Sequence, residues 1–559
     1  MKKILYIAVA IVSALLAGSC NQDYLTIDQL GVQSQNVVYK NADDQTANSF
    51  ITAAYYQYYY AGICMVNYTY NGSNILLECL GGDSLNGAKN ADSPLGWNPF
   101  RDYTISSQNS MIQAWWSNNY KIMYMCNLII DNLPANEVCT PSVKERVIAE
   151  ARALRSIVMM STVQLWGNPP LADHTLDGSE GNTPAADSWA FIYNELAEVA
   201  EKLPSKSGLG GQAAIGGHLT KEAVYAYLGK AYLWNGEYEN AATYLDKVIS
   251  SKKYALLDDF NAINTLKGDL SDEYVFEYNL TENANYATSQ AGGFIDIWFT
   301  GWLNSALNPP DQLLPPTGFG YGSTVSKEFA DFMNAHDKVD GKQDARYMGT
   351  LVSFDDLFDS DRFTYNKVGK PGLLTTYESC VGYFQLKYTT REENLNKAYT
   401  NVMNAQQARN TPFMRYAEVL LNYAEAVAMG ASQKSISGLE ALNMVRRRAG
   451  LSDAPSLDMN NAQYGVKAER RAELFSEGAR FIDLVRWGDA ASVLKDTGKK
   501  RFNFVGYKDG NNSVRQDPSQ WVVDSFDTEG SGWQEKYKAL PFPFSDVTAN
   551  ENLTQNPGW

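Results

Sequence analysis

The stretch from Thr220 to Ile249 constrains the fold of this chain more than any other. Tyr225-x-x-Leu228-Gly229-x-x-Tyr232, followed by Ala241-x-x-x-Leu245, has the spacing of a tetratricopeptide unit. Tyr stands at the usual Trp place and Leu at the usual Phe place. Small residues at Gly229 and Ala241 let two helices cross closely, Tyr232 and Leu245 fill the space on either side, and Asn235-Gly236 makes the turn. One such hairpin leaves an apolar face uncovered, so neighbouring helical hairpins must cover it. Candidates are Ala47–Ala61, Met111–Leu133, Ser142–Trp166, Trp189–Leu203 and the block from Pro412 to Leu494, although these match the repeat pattern poorly.

Ser142–Trp166 is the clearest single helix. Pro141 precedes it, and Ser142 with Glu145 three residues on reads as a capping box. Val143, Val147, Ala151, Leu154, Val158, Thr162 and Leu165 stripe one face, and Gly167, Pro169 and Pro170 stop the helix. The Tyr55-Tyr56-x-Tyr58-Tyr59-Tyr60 run reads as a helix packed on both faces. From about 254 to 410 the pattern changes. Glu273–Tyr278, Gly292–Trp298, Pro309-Pro310 and Pro315-Pro316 carry no helical period, which predicts short strands and long loops. A shorter irregular insertion, Glu78–Tyr103, interrupts the first helical block. Connections this long inside a domain are usually functional.

The N-terminus is an address. Lys2 and Lys3 precede an apolar run from Ile4 to Ala17, long enough for a secretory signal and too short for a comfortable membrane span. Cys20 follows the small residues Ala17-Gly18-Ser19 and resembles a lipobox cysteine, although Ala17 holds the place where Leu is usual. Residues 1–19 are therefore expected to be a removed signal peptide and Cys20 a lipid anchor, stable once it carries more than one acyl chain. Five cysteines remain after Cys20 and cannot all pair. Their spacing fits no zinc motif, so buried free thiols are expected; a Cys126–Cys139 bridge is conceivable but has no support. The chain has 63 acidic against 47 basic residues and no basic run, which excludes a nucleic-acid binder.

Four segments then coincide. They are Glu150–Arg155 running on to Leu165-Trp166-Gly167-Asn168-Pro-Pro-Leu171; Arg415–Glu425 with Leu442–Leu451; Glu469-Arg-Arg-Ala-Glu-Leu-Phe-Ser-Glu-Gly-Ala-Arg-Phe-Ile-Asp-Leu-Val-Arg-Trp-Gly488; and Leu540-Pro-Phe-Pro-Phe with Asn550–Trp559. With Cys20 and Asp23-Tyr24-Leu25, they resemble the SusD/RagB family of Bacteroidetes outer-membrane nutrient-binding lipoproteins over the whole mature chain. The resemblance implies a mainly α fold of about four tetratricopeptide-like helix pairs with a loop-rich part packed on it. It also implies a surface-exposed, outer-membrane lipoprotein that is not an enzyme and acts as a lid on a SusC-like TonB-dependent transporter, passing it oligosaccharides or, in some members, peptides. The expected parts are 20–253, with helical repeats; 254–410, irregular; and 411–559, with helices and a terminal strap.

The signature Glu469–Arg486 reads as an internal charge network in which Glu469 and Glu473 meet Arg470, Arg480 and Arg486, with Gly478 breaking the helix; Arg446–Arg448 reads as a solvated or packing face. No cofactor or metal is expected. His174, His218 and His336 lack ligand spacing, Gly208–Ala213 follows no strand, and Asp355, Asp356, Asp359 and Asp361 read as a solvated acidic loop. A secreted glycosidase is the rival from another class, since paired carboxylates have no linear motif.

A sugar presents an apolar ring face and a rim of hydroxyls, so its site needs flat aromatic platforms beside polar side chains. Asp83, Asn86, Trp97, Asn98 and Arg101 supply that mixture in the first irregular segment. Trp298 and Trp302, then Phe319 and Tyr321, supply it in the second.

Overall fold

The structure, a computed structural model, describes residues 35–63, 65–66, 69–70, 73–85, 98–209, 216–279, 324–336, 344–358, 377–387, 409–505 and 522–559. The helices are α1 (Gln35–Lys40), α2 (Asp44–Ile63), α3 (Ser73–Leu80), α4 (Asn98–Asp102), α5 (Ser110–Asn132), α6 (Pro141–Trp166), α7 (Ala185–Ala200), α8 (Lys221–Trp234), α9 (Tyr238–Ser250), α10 (Lys327–His336), α11 (Ala345–Thr350), α12 (Tyr416–Ala428), α13 (Gly438–Arg448), α14 (Val466–Glu473), α15 (Ala479–Trp487), α16 (Ala490–Val493) and α17 (Phe544–Ala549). The strands are short: β1 (Met65–Val66), β2 (Thr69–Tyr70), β3 (Tyr274–Tyr278), β4 (Leu351–Ser353), β5 (Tyr377–Glu378), β6 (Tyr383–Gln385), β7 (Thr411–Arg415), β8 (Lys500–Val505) and β9 (Val522–Asp527). The chain is mainly helical, with its strands set among loops, as the sequence leads one to expect.

Helices α8 and α9 are the hairpin read from Tyr225 to Leu245. Thr220 caps α8 by accepting a hydrogen bond from the Ala223 amide at 3.2 Å. A Cβ on Gly229 would lie 2.6 Å from Leu245 Cγ, so the crossing exists because that position carries no side chain. The stack extends outward on both sides: α2, α5, α6, α7, α8, α9, α12 and α13 pack in succession around one apolar core.

Helix α6 lies at the centre and is buried on nearly every side from Val147 to Trp166, because α5, α7 and α2 all pack on it. Its start differs from the capping box. Pro141 takes the first helical position, where its fixed φ is already suitable, so Thr140 becomes the cap and Ser142 is exposed inside the helix. The Thr140 hydroxyl donates to Asp44 Oδ2 at 2.7 Å, fastening α6 to the first turn of α2. The tyrosine run divides differently from a helix buried all round. Tyr55 and Tyr59 are buried and Tyr58 stacks on Phe276, but Tyr56 is 37% exposed.

The terminal strap closes the far end of α6. Trp166 Nε1 donates to Pro541 O at 2.9 Å, Leu540 N to Leu165 O at 2.7 Å, and Asn556 Nδ2 to Trp166 O at 2.9 Å. Phe542 packs edge-on to Trp116.

The Glu469–Arg486 signature does form an internal charge network, but Glu469 and Glu473 take partners outside the segment rather than Arg470, Arg480 and Arg486. Glu469 meets Arg346 at 2.9 Å and Arg446; Glu473 meets Arg415 at 2.9 Å and Arg448 at 2.5 Å; Glu273, just before β3, meets Arg415 at 2.7 Å and Arg448 at 3.0 Å. Arg470 pairs with Asp483 at 2.8 Å, Arg486 with Asp483 at 2.7 Å and with Glu425, and Arg480 lies 3.6 Å from Asp83. Gly478, at φ +75°, separates α14 from α15 and turns their charged faces to different neighbours. Burial opposes the charge on Glu469, yet Arg346, with His336 and Arg446, holds its carboxyl down to about 2. Of the Arg446–Arg448 run, only Arg447 is solvated; Arg446 and Arg448 are buried in the network.

Cys79, Cys126, Cys139 and Cys380 are free, buried thiols, and burial pushes them up to about 12, 12, 11 and 12. Cys126 and Cys139 therefore do not bridge. His336 is buried against Arg346 and Glu469, His218 meets Glu150 at 2.7 Å, and His174 is largely exposed. Asp355 and Asp356 are buried, which corrects their reading as solvated; Asp356 accepts from the Ser353 amide at 3.1 Å and helps fold the turn after β4.

Candidate functional site

Two segments supply the aromatic and polar residues suited to a sugar, and the structure brings the described ends of those segments together. Ser84 forms an antiparallel bridge with Val325. Leu85 N donates to Thr324 O at 2.8 Å, and Ser326 N donates to Asp83 O at 2.8 Å. The chain entering 86–97 thus runs beside the chain leaving 280–323. Helix α4, where the first segment resumes, is tied to the same place. Arg101 Nη1 donates to Ser379 Oγ at 2.8 Å, and the Thr324 hydroxyl donates to the Ser379 carbonyl. Thr324 also bridges Phe384 of β6.

Charge fixes this junction from both sides. The Asp83 carboxylate accepts two hydrogen bonds from Arg471 of α14, a forked pair in which the Nε distance is 2.9 Å. Arg471 is itself held under the rings of Phe332 and Phe329, 4.6 and 5.6 Å from their centroids. Arg101 and Asp102 form a second fork at 2.7 and 2.8 Å, and Arg501 of β8 closes it at 2.6 Å. Beneath the junction lies Glu78, 1% exposed. Burial, with Asp83 nearby, pushes its carboxyl up to about 8.

Asp83, Asn98 and Arg101 are only 3%, 7% and 4% exposed, and the charges of Asp83 and Arg101 are engaged in the junction. Asn86, Trp97, Trp298, Trp302, Phe319 and Tyr321 lie outside the described residues, as does Cys20. Sequence reasoning missed Ser379, Thr324 and Arg471, which have no local motif and become partners only through contacts across the chain. Among the described residues no group of three or more His, Cys, Asp or Glu side chains could hold a metal ion.

Two hollows accompany the junction. A cavity of about 190 Å³ lies between α6, α8, α12 and α15, with Gln164, Lys230, Asn422 and Arg486 among its otherwise largely apolar wall residues. It has room for a few waters. A groove of about 680 Å³ lies along α5 beside the terminal strap, lined by Trp116, Tyr120 and Tyr124. That volume is typical of small-molecule sites, about 300–1,000 Å³.

The SusD family model matches residues 262–559. The chain belongs to the SusD family. Among its relatives is a SusD-like protein of Bacteroides ovatus, 22% identical over 505 residues, covering 83% of this chain and 84% of that one. Another is the starch-binding protein SusD of Bacteroides thetaiotaomicron, 21% identical over 465 residues, with 76% of this chain and 75% of that protein covered. A solved structure of surface glycan-binding protein A from B. thetaiotaomicron, in complex with laminarihexaose, superposes with a TM-score of 0.70. It is 23% identical and covers 92% of this chain and all of that one.

Proposed function

We propose that this chain is a cell-surface lipoprotein, anchored through Cys20, that captures oligosaccharides without cleaving them and delivers them to a SusC-like TonB-dependent transporter. The observation that carries the binding role is the junction. Ser84–Leu85 and Thr324–Val325 are paired, so the segment holding Trp97 starts beside the point where the segment holding Trp298, Trp302 and Tyr321 ends, which supports one shared site. Aromatic residues from two segments, rooted on a rigid charged base, supply the preorganisation that weak sugar contacts require. Starch and laminarihexaose, the ligands of two relatives, support the carbohydrate class. The lipid anchor and the transporter partnership rest on the family resemblance and on the signal-like segment ending at Cys20.

The test is a calorimetric screen of neutral oligosaccharides followed by titration of the best ligand into Trp97→Ala. A loss of about 1–3 kcal/mol, the range of a truncated aromatic hot spot, with an unchanged melting curve supports the reading. Binding of basic peptides and of no saccharide would move the ligand class to peptides. Release of shortened saccharide would make the chain a hydrolase.

A further inference from the structure

We propose that the groove along α5 is a second carbohydrate-binding site, separate from the junction, and that it takes a short neutral saccharide. The proposal takes its ligand class from the glycan-binding reading; the site itself rests on the geometry of the groove.

The groove begins with three aromatic residues four apart on one face of α5: Trp116, Tyr120 and Tyr124. Trp116 and Tyr120 pack against each other, with ring centroids 4.6 Å apart, and Trp116 is buried, so these two rings form the floor of the groove and Tyr124 its open end. Two of the rings are fixed by their polar atoms. Trp116 Nε1 donates to Asp546 Oδ1 at 3.0 Å, and the Tyr120 hydroxyl donates to Pro170 O at 2.7 Å. Tyr124 is 41% exposed and offers its ring to solvent. An isolated exposed tyrosine needs no explanation. This one adjoins two fixed rings in a concave wall that Pro170, Ala172 and Leu176 also line.

The walls are preformed. Asn550 Nδ2 donates to Glu180 O at 2.7 Å, Asn552 Nδ2 to Ser179 O at 2.8 Å, and Thr554 N to Asn182 Oδ1 at 2.7 Å. The terminal strap therefore holds the 177–182 loop as a backbone neighbour would, and little ordering is left for a ligand to impose. The rim carries the carboxylates of Asp177, Glu180 and Asp546, together with Lys121, an arrangement that accepts hydrogen bonds from hydroxyls. Three acids against one base also repel uronic or sulfated sugars, which is why the proposal commits to a neutral one. A flat ring face bordered by acceptors suits a pyranose better than an extended apolar peptide, which would leave those carboxylates unpaired.

The experiment uses the full chain in a sugar-free detergent, titrated with laminarihexaose, maltohexaose, cellohexaose and an oligogalacturonate, and followed by calorimetry and hydrogen exchange. The expected result is a binding event for a neutral hexasaccharide that slows exchange in residues 117–127 and survives Trp97→Ala. Tyr124→Ala should weaken that event about tenfold, as for a modest aromatic hot spot. Ala549→Trp, which fills the groove from the opposite wall, should abolish it while leaving the melting curve unmoved. The oligogalacturonate should not bind there. Binding that is lost wholly in Trp97→Ala and is indifferent to Tyr124→Ala and Ala549→Trp would overturn the second site alone. Absence of binding by every saccharide would overturn both this site and the glycan reading. A self-association that Tyr124→Ala dissolves would make the groove a contact between copies and overturn the proposal.

Discussion

Gly229 is the position where the repeat reading can be broken most cleanly. An added Cβ would meet Leu245 Cγ at 2.6 Å, Leu245 Cδ2 at 2.9 Å and the Ala241 carbonyl oxygen at 3.3 Å. Leu245 is completely buried and Ala241 O is backbone, so neither has an easy way to yield. In an exposed helix, Gly→Ala would stabilise by about 1 kcal/mol through backbone entropy. Here overpacking opposes that gain by about 1–3 kcal/mol, so Gly229→Ala should be neutral to about 2 kcal/mol destabilising, and Gly229→Leu clearly worse. Leu245→Ala alone should cost about 2–5 kcal/mol through the cavity it leaves. The decisive variant combines Gly229→Ala with Leu245→Ala. The new methyl then enters the space vacated by leucine, and the double variant should be more stable than the sum of the singles by about 1 kcal/mol or more. Chemical denaturation followed by circular dichroism gives all four corners of the cycle. Strict additivity, or a Gly229→Leu protein as stable as the parent, would refute the close crossing of α8 on α9.

Three further outcomes follow from the charges and the N-terminus. Glu78 has a folded-state value raised to about 8 by burial and by Asp83, so it costs stability as pH rises from the ordinary carboxylate range, near 4.5, through 8; Glu78→Gln should flatten the decline in melting temperature between pH 6 and 8.5, and an unchanged slope would count against the buried carboxyl. Arg415→Leu should destabilise by about 3–5 kcal/mol, because Glu273, Glu473 and Glu477 would lose a shared cation while remaining buried; urea denaturation checks it, and a loss below 1 kcal/mol would contradict the network. Cys20→Ala should abolish incorporation of a palmitate analogue in cells, and continued labelling of that variant would remove the lipobox reading.

What the sequence disclosed and what it concealed divide by distance along the chain. The α8–α9 hairpin was legible because its contacts, Gly229 with Ala241 and Leu245, fall within two adjacent helices, where a small residue and its neighbours leave a periodic trace. The stripe in α6 was legible for the same reason, although a stripe marks only one face and gave no sign that the helix is buried nearly all round. The ion pairs of Asp83 and Arg101 were hidden because a polar residue in an irregular segment looks the same whether water or an opposite charge will face it. The partner of Asp83, Arg471, stands 388 residues away. The charge network shows this most plainly. Its residue types were visible as a cluster of acids and arginines, but helix spacing suggested pairs inside the cluster. A left-handed Gly478 and the arrival of β3, β7 and α11 distributed them among Glu273, Arg346 and Arg415 instead.

The placement of these charges gives the network a role beyond its net stability. A buried ion pair gains little over well-packed apolar residues, because desolvation offsets most of the attraction. It does penalise every arrangement that leaves one partner alone. Glu473 touches Arg415 from β7 and Arg448 from α13, Glu469 touches Arg346 from α11, and Arg471 in the same helix touches Asp83 in the first irregular segment. Helix α14 is thus the common member joining the helical stack, the loop-rich part and the junction. Displacing any of them would strand a charge in a low-dielectric interior, at a cost of several kcal/mol. Apolar contacts are tolerant of small shifts and could not hold loop roots to one geometry so strictly. The glycan site proposed on the two irregular segments needs its roots fixed, and the network supplies that constraint from charges that are themselves buried and already paired.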